Sequence, residues 1–248
     1  MALTDLTQIE FIEGLFALLT LTITVCIGIG VMYKFKKTDN NKLIPVGLFW
    51  ALMGSPWLSA SITFVMYIFL DYGLPSVLYV CLAASPYAIT LLIWIHSYGI
   101  LTELEKRKAL FYFYCLIAIS FYIPFYYFLF SGDPELVALV GSLEGKFNIS
   151  FGIWVRIYGM IAFLSIFVTG MHFSIKTMRI DEKLIKWKGR LLAMAFIMYT
   201  IGLIADSFVP TIYPFFTALF RALVIFSGIL FYLAFFLPKR LADAITKS

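Results

Sequence analysis

The sequence predicts an all-α membrane protein, one seven-transmembrane helix bundle over residues 1–248, with the N-terminus outside and the C-terminus cytoplasmic. Three observations predict it. Of the 248 residues 62% are hydrophobic and 13% charged, against roughly 45–50% and about 25% in soluble domains. A water-soluble core of this size cannot absorb that surplus, so the bilayer must be the solvent. Seven apolar runs each reach the ~20 residues a helix needs to cross hydrocarbon. The polar connections between them alternate between basic and non-basic.

The spans fall at about 9–33, 44–70, 76–101, 109–130, 151–175, 190–209 and 214–237. Their apolar character is continuous rather than alternating, which excludes a barrel. A helix also satisfies its own backbone groups, as lipid demands. Residues 1–13 carry Asp5, Glu10 and Glu13 and no Lys or Arg, unlike a cleavable signal peptide. Lys34–Lys42, Thr102–Lys108, Lys176–Arg190 and the tail after Pro238 hold 16 of the 19 Lys and Arg residues. The N-terminus, Asp71–Pro75, Ser131–Asn148 and Val209–Tyr213 hold only Lys146. Basic connections stay cytoplasmic, which sets the orientation and points to the cell (plasma) membrane. The net charge of +5 is explained by these loops, so no nucleic-acid partner is implied.

The connections leave no space for a soluble catalytic domain, and the tail Lys239–Ser248 suffices for a short interfacial helix. Lys37-Thr-Asp-Asn-Asn-Lys-Leu-Ile44 and Arg179-Ile-Asp-Glu-Lys-Leu-Ile185 follow the first and fifth spans. They are either a trace of parallel triplets, as in some transporters, or two independent Lys-rich turns.

Ionisable groups inside a span are expensive to retain, so each is a candidate for function. Glu13, Arg156, Asp206 and Arg221 lie at one level, about 5–10 Å below the outer boundary at 1.5 Å per residue. Adjacency of the sixth and seventh spans makes Asp206 with Arg221 the expected pair, with Glu13 and Arg156 completing a polar layer. The layer is either a structural clamp or a ligand-facing pocket. Pro56, Pro86 and Pro124 lie nearer the midplane, where proline removes a helix hydrogen bond and kinks the helix. Kinks at matching depth in the second and third spans would open a space lined by Trp57, Tyr87 and other aromatics. That space would suit a small apolar or aromatic ligand, unless the helices pack tightly there.

Other residues have bland readings. His96 and His172 would be ordinary polar or interfacial side chains rather than haem ligands. Cys26, Cys81 and Cys115 sit in apolar runs without metal-like spacing. The aromatic content, 19%, suits lipid contact and the interfacial belt. Asn148-Ile-Ser150 matches a glycosylation acceptor. No HExxH, GxSxG, Walker loop or paired carboxylates suited to acid–base work occurs, so no enzyme and no cofactor is expected. The seventh span has no lysine to carry a retinal Schiff base. It also lacks Asn-Pro-x-x-Tyr, and the third ends without Asp-Arg-Tyr.

Arg221-Ala-Leu-Val-Ile-Phe-Ser-Gly-Ile-Leu-Phe-Tyr-Leu-Ala-Phe-Phe-Leu-Pro238-Lys-Arg resembles the last helix of the seven-helix sensor modules of prokaryotes. Those modules precede histidine kinases or similar output domains, and an Arg, a Gly, an aromatic pair and an exit Pro recur in them in this order. This chain stops ten residues after Pro238, so no attached output domain is expected. The resemblance implies a receptor-like module signalling through a separate cytoplasmic protein, engaged by the basic loops, with membrane lipids around the bundle. The expected function is thus a non-enzymatic receptor or sensor. The alternatives are a small transporter, or a structural or assembly subunit of a membrane complex.

Overall fold

The computed structural model describes residues 6–38, 41–208, 214–238, 242, 243 and 245. Seven helical stretches are long and apolar enough to cross a bilayer: Gln8–Lys34, Leu43–Leu70, Ser76–Leu101, Arg107–Phe130, Ile153–Met178, Lys183–Asp206 and Ala218–Phe235. The chain is a multi-pass integral membrane protein with an all-α spanning bundle. The connection 209–213 and most of the tail after Pro238 lie outside the described residues.

The helices are α1 (Gln8–Thr38), α2 (Leu43–Leu52), α3 (Leu58–Leu70), α4 (Ser76–Ala84), α5 (Pro86–Leu101), α6 (Arg107–Phe130), α7 (Pro134–Val140), α8 (Ile153–Met178), α9 (Lys183–Phe208) and α10 (Pro214–Phe235). The second span is α2 and α3 joined through a 3-10 turn at Ser55–Trp57, and the third is α4 and α5 meeting at Ser85. Around the bundle, α1 packs on α2, α3 and α10; α9 packs on α10 and α8; α5 joins α8 to α2. The fourth span, α6, stands outside this ring against α5.

The basic connection Lys176–Arg190 is mostly helix. The fifth span continues to Met178 and the sixth begins at Lys183 instead of near 190, leaving only a turn between. Hydropathy marks where lipid ends, not where helical hydrogen bonding ends. Lysine is a good helix former whose ammonium reaches water from a helix entering the headgroups.

Rings from four spans fill the middle of the bundle. Phe49 and Trp94 lie 4.6 Å apart between centroids, Trp50 and Phe231 4.0 Å, and Trp94 and Phe196 5.2 Å. Such offset and tilted pairs add to the dispersion gained by burial. Trp94 keeps its indole N–H satisfied by donating to Thr169 Oγ1 at 2.6 Å. The first two spans cross at Gly28 and Gly47. A Cβ on Gly28 would lie 2.5 Å from the Gly47 carbonyl oxygen and 2.6 Å from the Ala51 nitrogen. Backbones this close need small residues, as at other membrane helix crossings.

Of the three prolines expected to kink a span, Pro56 and Pro86 interrupt theirs, and a tyrosine from another span closes each break. In the second span the Trp57 N–H turns to Gly54 O (3.1 Å), so Met53 O loses its helical donor and accepts from the Tyr199 hydroxyl at 3.2 Å. In the third, the Tyr122 hydroxyl donates to Ser85 O at 2.7 Å. Pro124 stays within the continuous α6. Tyr122→Phe and Tyr199→Phe should each lower thermal stability in detergent by about 1–3 kcal/mol, because an acceptor in a dry interior is left unpaired. Tyr126→Phe, on the exposed side of α6, is the neutral control.

The connection Ser131–Asn148 is structured. Asp133 caps α7, its Oδ1 accepting from the Glu135 N–H at 2.9 Å with Pro134 in the first turn. Strands β1 (Gly141–Glu144) and β2 (Asn148–Phe151) then pair antiparallel, with Glu144 opposite Asn148. Gly145 takes φ +69° at the turn, where glycine has no steric penalty. Phe147 at the tip is buried with Phe64 and Tyr67, each 5.7 Å away. The hairpin therefore folds over one end of the bundle.

Candidate functional site

Beneath the hairpin lies a buried charged group. Glu13 is on the second turn of α1, Asp206 near the end of α9, Arg221 on α10 and Asn148 at the start of β2. Glu13 and Arg221 are 5% and 4% exposed, levels at which a charge persists only with partners. Arg221 supplies them in three directions. Its Nη1 donates to the Glu13 backbone carbonyl at 2.8 Å and its Nη2 to Asn148 Oδ1 at 3.4 Å. Its Nε lies 3.4 Å from Asp206 Oδ1, an ion pair without hydrogen-bond alignment. The Asn148 side chain also faces the Glu13 carboxyl, and the Trp57 side chain faces Asp206. One guanidinium, with its planar fork of donors, thus joins α1, α9, α10 and the hairpin. Trp57 connects the group to the break in the second span.

A second, shallower pair flanks it. Thr7 and Glu10 form a capping box at the start of α1: the Glu10 N–H donates to Thr7 Oγ1 at 3.2 Å and the Thr7 N–H to Glu10 Oε2 at 2.9 Å. The same Glu10 oxygen lies 3.5 Å from Lys146 Nζ at the hairpin tip, and that ammonium sits 5.4 Å from the centre of the Tyr67 ring.

The expected pairing of Asp206 with Arg221 is present, and Trp57 belongs to the same group. Glu13 joins it through its carbonyl and Asn148, not by a direct carboxylate–guanidinium bridge. Arg156 does not join: it is exposed on α8 and donates to Ser150 Oγ at 3.3 Å. Position along a helix gives depth but not azimuth, and Arg156 has the right depth on the wrong face. Tyr87 lies apart, 5.9 Å from both Phe151 and Phe163. It borders the cleft expected at the proline breaks, with Ser55, Pro56, Thr90 and Tyr199. That cleft has room for about one water molecule, because tyrosines fill the space the kinks create. Asn148 is a buried-side contact of Arg221, so a glycan there would displace the hairpin.

Sequence reasoning missed Asn148, Glu10 and Lys146 as parts of one site. The signals were present but short: Ser142-Leu-Glu-Gly-Lys-Phe-Asn-Ile-Ser150 alternates in polarity around a central glycine, and Lys146 is the lone basic residue of its set.

Towards the basic end the interior is aromatic, and hydroxyls bond within their own helices, as Thr24 does to Thr20 O and Ser97 to Ile93 O. His96 and His172 have separate surroundings: His96 is exposed beside Phe111, and His172 Nδ1 is 2.8 Å from the Tyr98 hydroxyl. Lys176 donates to Thr102 O at 2.6 Å and Lys34 to Phe235 O at 3.2 Å, so lysines cap the carboxyl ends of α5 and α10. No protein-family model matches the chain, and no curated protein matches it in sequence.

Proposed function

We propose that this protein is a non-enzymatic seven-helix receptor or sensor, oriented with the hairpin outside the cell and the basic end in the cytoplasm. The observation that carries the reading is the Arg221 group, which ties the hairpin to the first, sixth and seventh spans. A stimulus that moves the hairpin changes contacts on all three. Their other ends carry the basic side chains, where a separate cytoplasmic protein would dock. The resemblance of Arg221–Pro238 to prokaryotic sensor modules points the same way. The transporter reading is weaker because the charged layer gives way to a packed aromatic middle, not to a polar path.

Two measurements test this. Cysteines introduced at Lys183 and at Glu144, in a chain whose Cys26, Cys81 and Cys115 are serine, should react oppositely with an impermeant maleimide on intact cells. Position 144 should label and position 183 should not, and the reverse pattern overturns the orientation. For signalling, Arg221→Gln should change the labelling rate of Glu182→Cys in opened membranes. A rate that stays constant at 182 while it rises at 144 would make the group a local clamp and end the receptor reading.

A further inference from the structure

The tip of the hairpin presents three consecutive residues to three different surroundings. Lys146 places its ammonium beside the Glu10 carboxylate and over the Tyr67 ring. Phe147 places its ring, 2% exposed, edge-on to Phe64 and Tyr67. Asn148 turns its amide to Arg221, its Oδ1 accepting from Nη2 at 3.4 Å. The first two make a pattern: one cation and one aromatic ring, close together, held by an acid and a cage of rings. A cation beside a carboxylate and over an aromatic face is a standard way to recognise an organic ammonium.

The charge count agrees. With the hairpin in place, Lys146 balances Glu10, and Arg221 balances one of Glu13 and Asp206. With the tip withdrawn, three carboxylates, Glu10, Glu13 and Asp206, face the single guanidinium of Arg221. The uncovered site is therefore acidic and would not favour an anion. Phe11, 5.6 Å from Phe64, adds a further ring to the cage.

The hairpin is held in place mainly through its tip. It has two short strands joined by four register pairs; such a hairpin is marginal on its own, so its place depends on what its tip touches. Its base is narrow: Gly141 has φ +152° and the Gly152 N–H bonds to Val140 O at 2.9 Å. A Cβ on Gly152 would overlap Leu139 backbone atoms. The two glycines let the base of the hairpin pack closely against the end of α7.

We propose that the hairpin tip is a built-in occupant of a binding site for an aromatic organic ammonium, a ligand with a protonated amine a few bonds from a ring. The free ligand displaces Lys146 and Phe147, and the hairpin lifts. This assigns a ligand class to the receptor reading and rests on it only for the consequence of binding, because occupancy can be measured without any signal.

The test uses 2-phenylethylammonium as probe and the purified full chain in detergent, with thermal melting and calorimetry as readouts. Lys146→Gln removes the tethered cation, so it should bind the probe at least about tenfold more tightly than the native chain, in which the tip competes at a high effective concentration. Phe147→Leu should show the same direction and guards against a folding defect in either variant alone. Adding Glu10→Gln to Lys146→Gln should abolish the gain, and Glu144→Gln should leave binding as in the native chain. 3-Phenylpropionate, with the ring and the opposite charge, should not bind; butylammonium, with the charge and no ring, should bind more weakly. The proposal fails if neither hairpin variant binds the probe better than the native chain, or if phenylpropionate binds equally well. Tight probe binding with no change in Glu182→Cys labelling would retain the site and reject its coupling to the basic end.

Discussion

Removing Arg221 should cost the fold about 3–5 kcal/mol, the range for breaking a buried pair and stranding its partner. Arg221→Ala strips Asp206 of its counter-charge and leaves the Glu13 carbonyl and the Asn148 side-chain carbonyl without their donor. Asp206→Ala should be milder, near 1–3 kcal/mol, because Arg221 keeps two acceptors. The double substitution should destabilise less than the sum of the singles, by a coupling of about 0.5–3 kcal/mol. Melting curves of the four proteins in one detergent complete the cycle. Strict additivity would mean that the 3.4 Å approach of Nε to Asp206 carries no energy, and that each charge is stabilised separately. Arg156→Ala should shift the melt little, since an exposed arginine on Ser150 holds nothing together.

The second large effect is expected at Gly28. Gly28→Val places branched carbon atoms against the Gly47 carbonyl and the Ala51 nitrogen, and neither is the movable end of a side chain. Overpacking usually costs about 1–3 kcal/mol, and more where backbone must give way. We expect at least the upper end of that range, or failure to recover folded protein. Gly30→Val is the matched control, because a Cβ there meets only the Tyr232 ring at 3.5 Å. Equal losses at both positions would show that valine propensity, not the crossing, sets the effect.

The spans were legible because lipid compels long apolar helices whatever the packing; the breaks at Pro56 and Pro86 were legible because proline removes a helix donor, though the same loss leaves α6 continuous at Pro124. Asp206 and Arg221 could be paired because neighbouring spans of opposite direction bring the two depths together. Three things were hidden. The face on which a residue lies depends on rotation about the helix axis, so Arg156 could not be told from Arg221. The repair of Met53 O and Ser85 O by Tyr199 and Tyr122 depends on which spans are neighbours. The hairpin is too short for periodicity to register, and it stands on tertiary contacts of Phe147 and Asn148 rather than on strand propensity.

Tyr122 and Tyr199 also bear on how this bundle can deform. An interrupted helix with unpaired carbonyls is a joint, whereas one whose gap is bridged by a phenol from a different helix is a splint. Here both interruptions are splinted, to the fourth span in one case and the sixth in the other. Bending the second or third span would require breaking a bond to a neighbour, so these helices should tilt or slide whole. A displacement passed to the second span by Phe147, which packs on Phe64 and Tyr67, would then arrive at the far side with its amplitude largely undiminished, as through a stiff lever and not a spring.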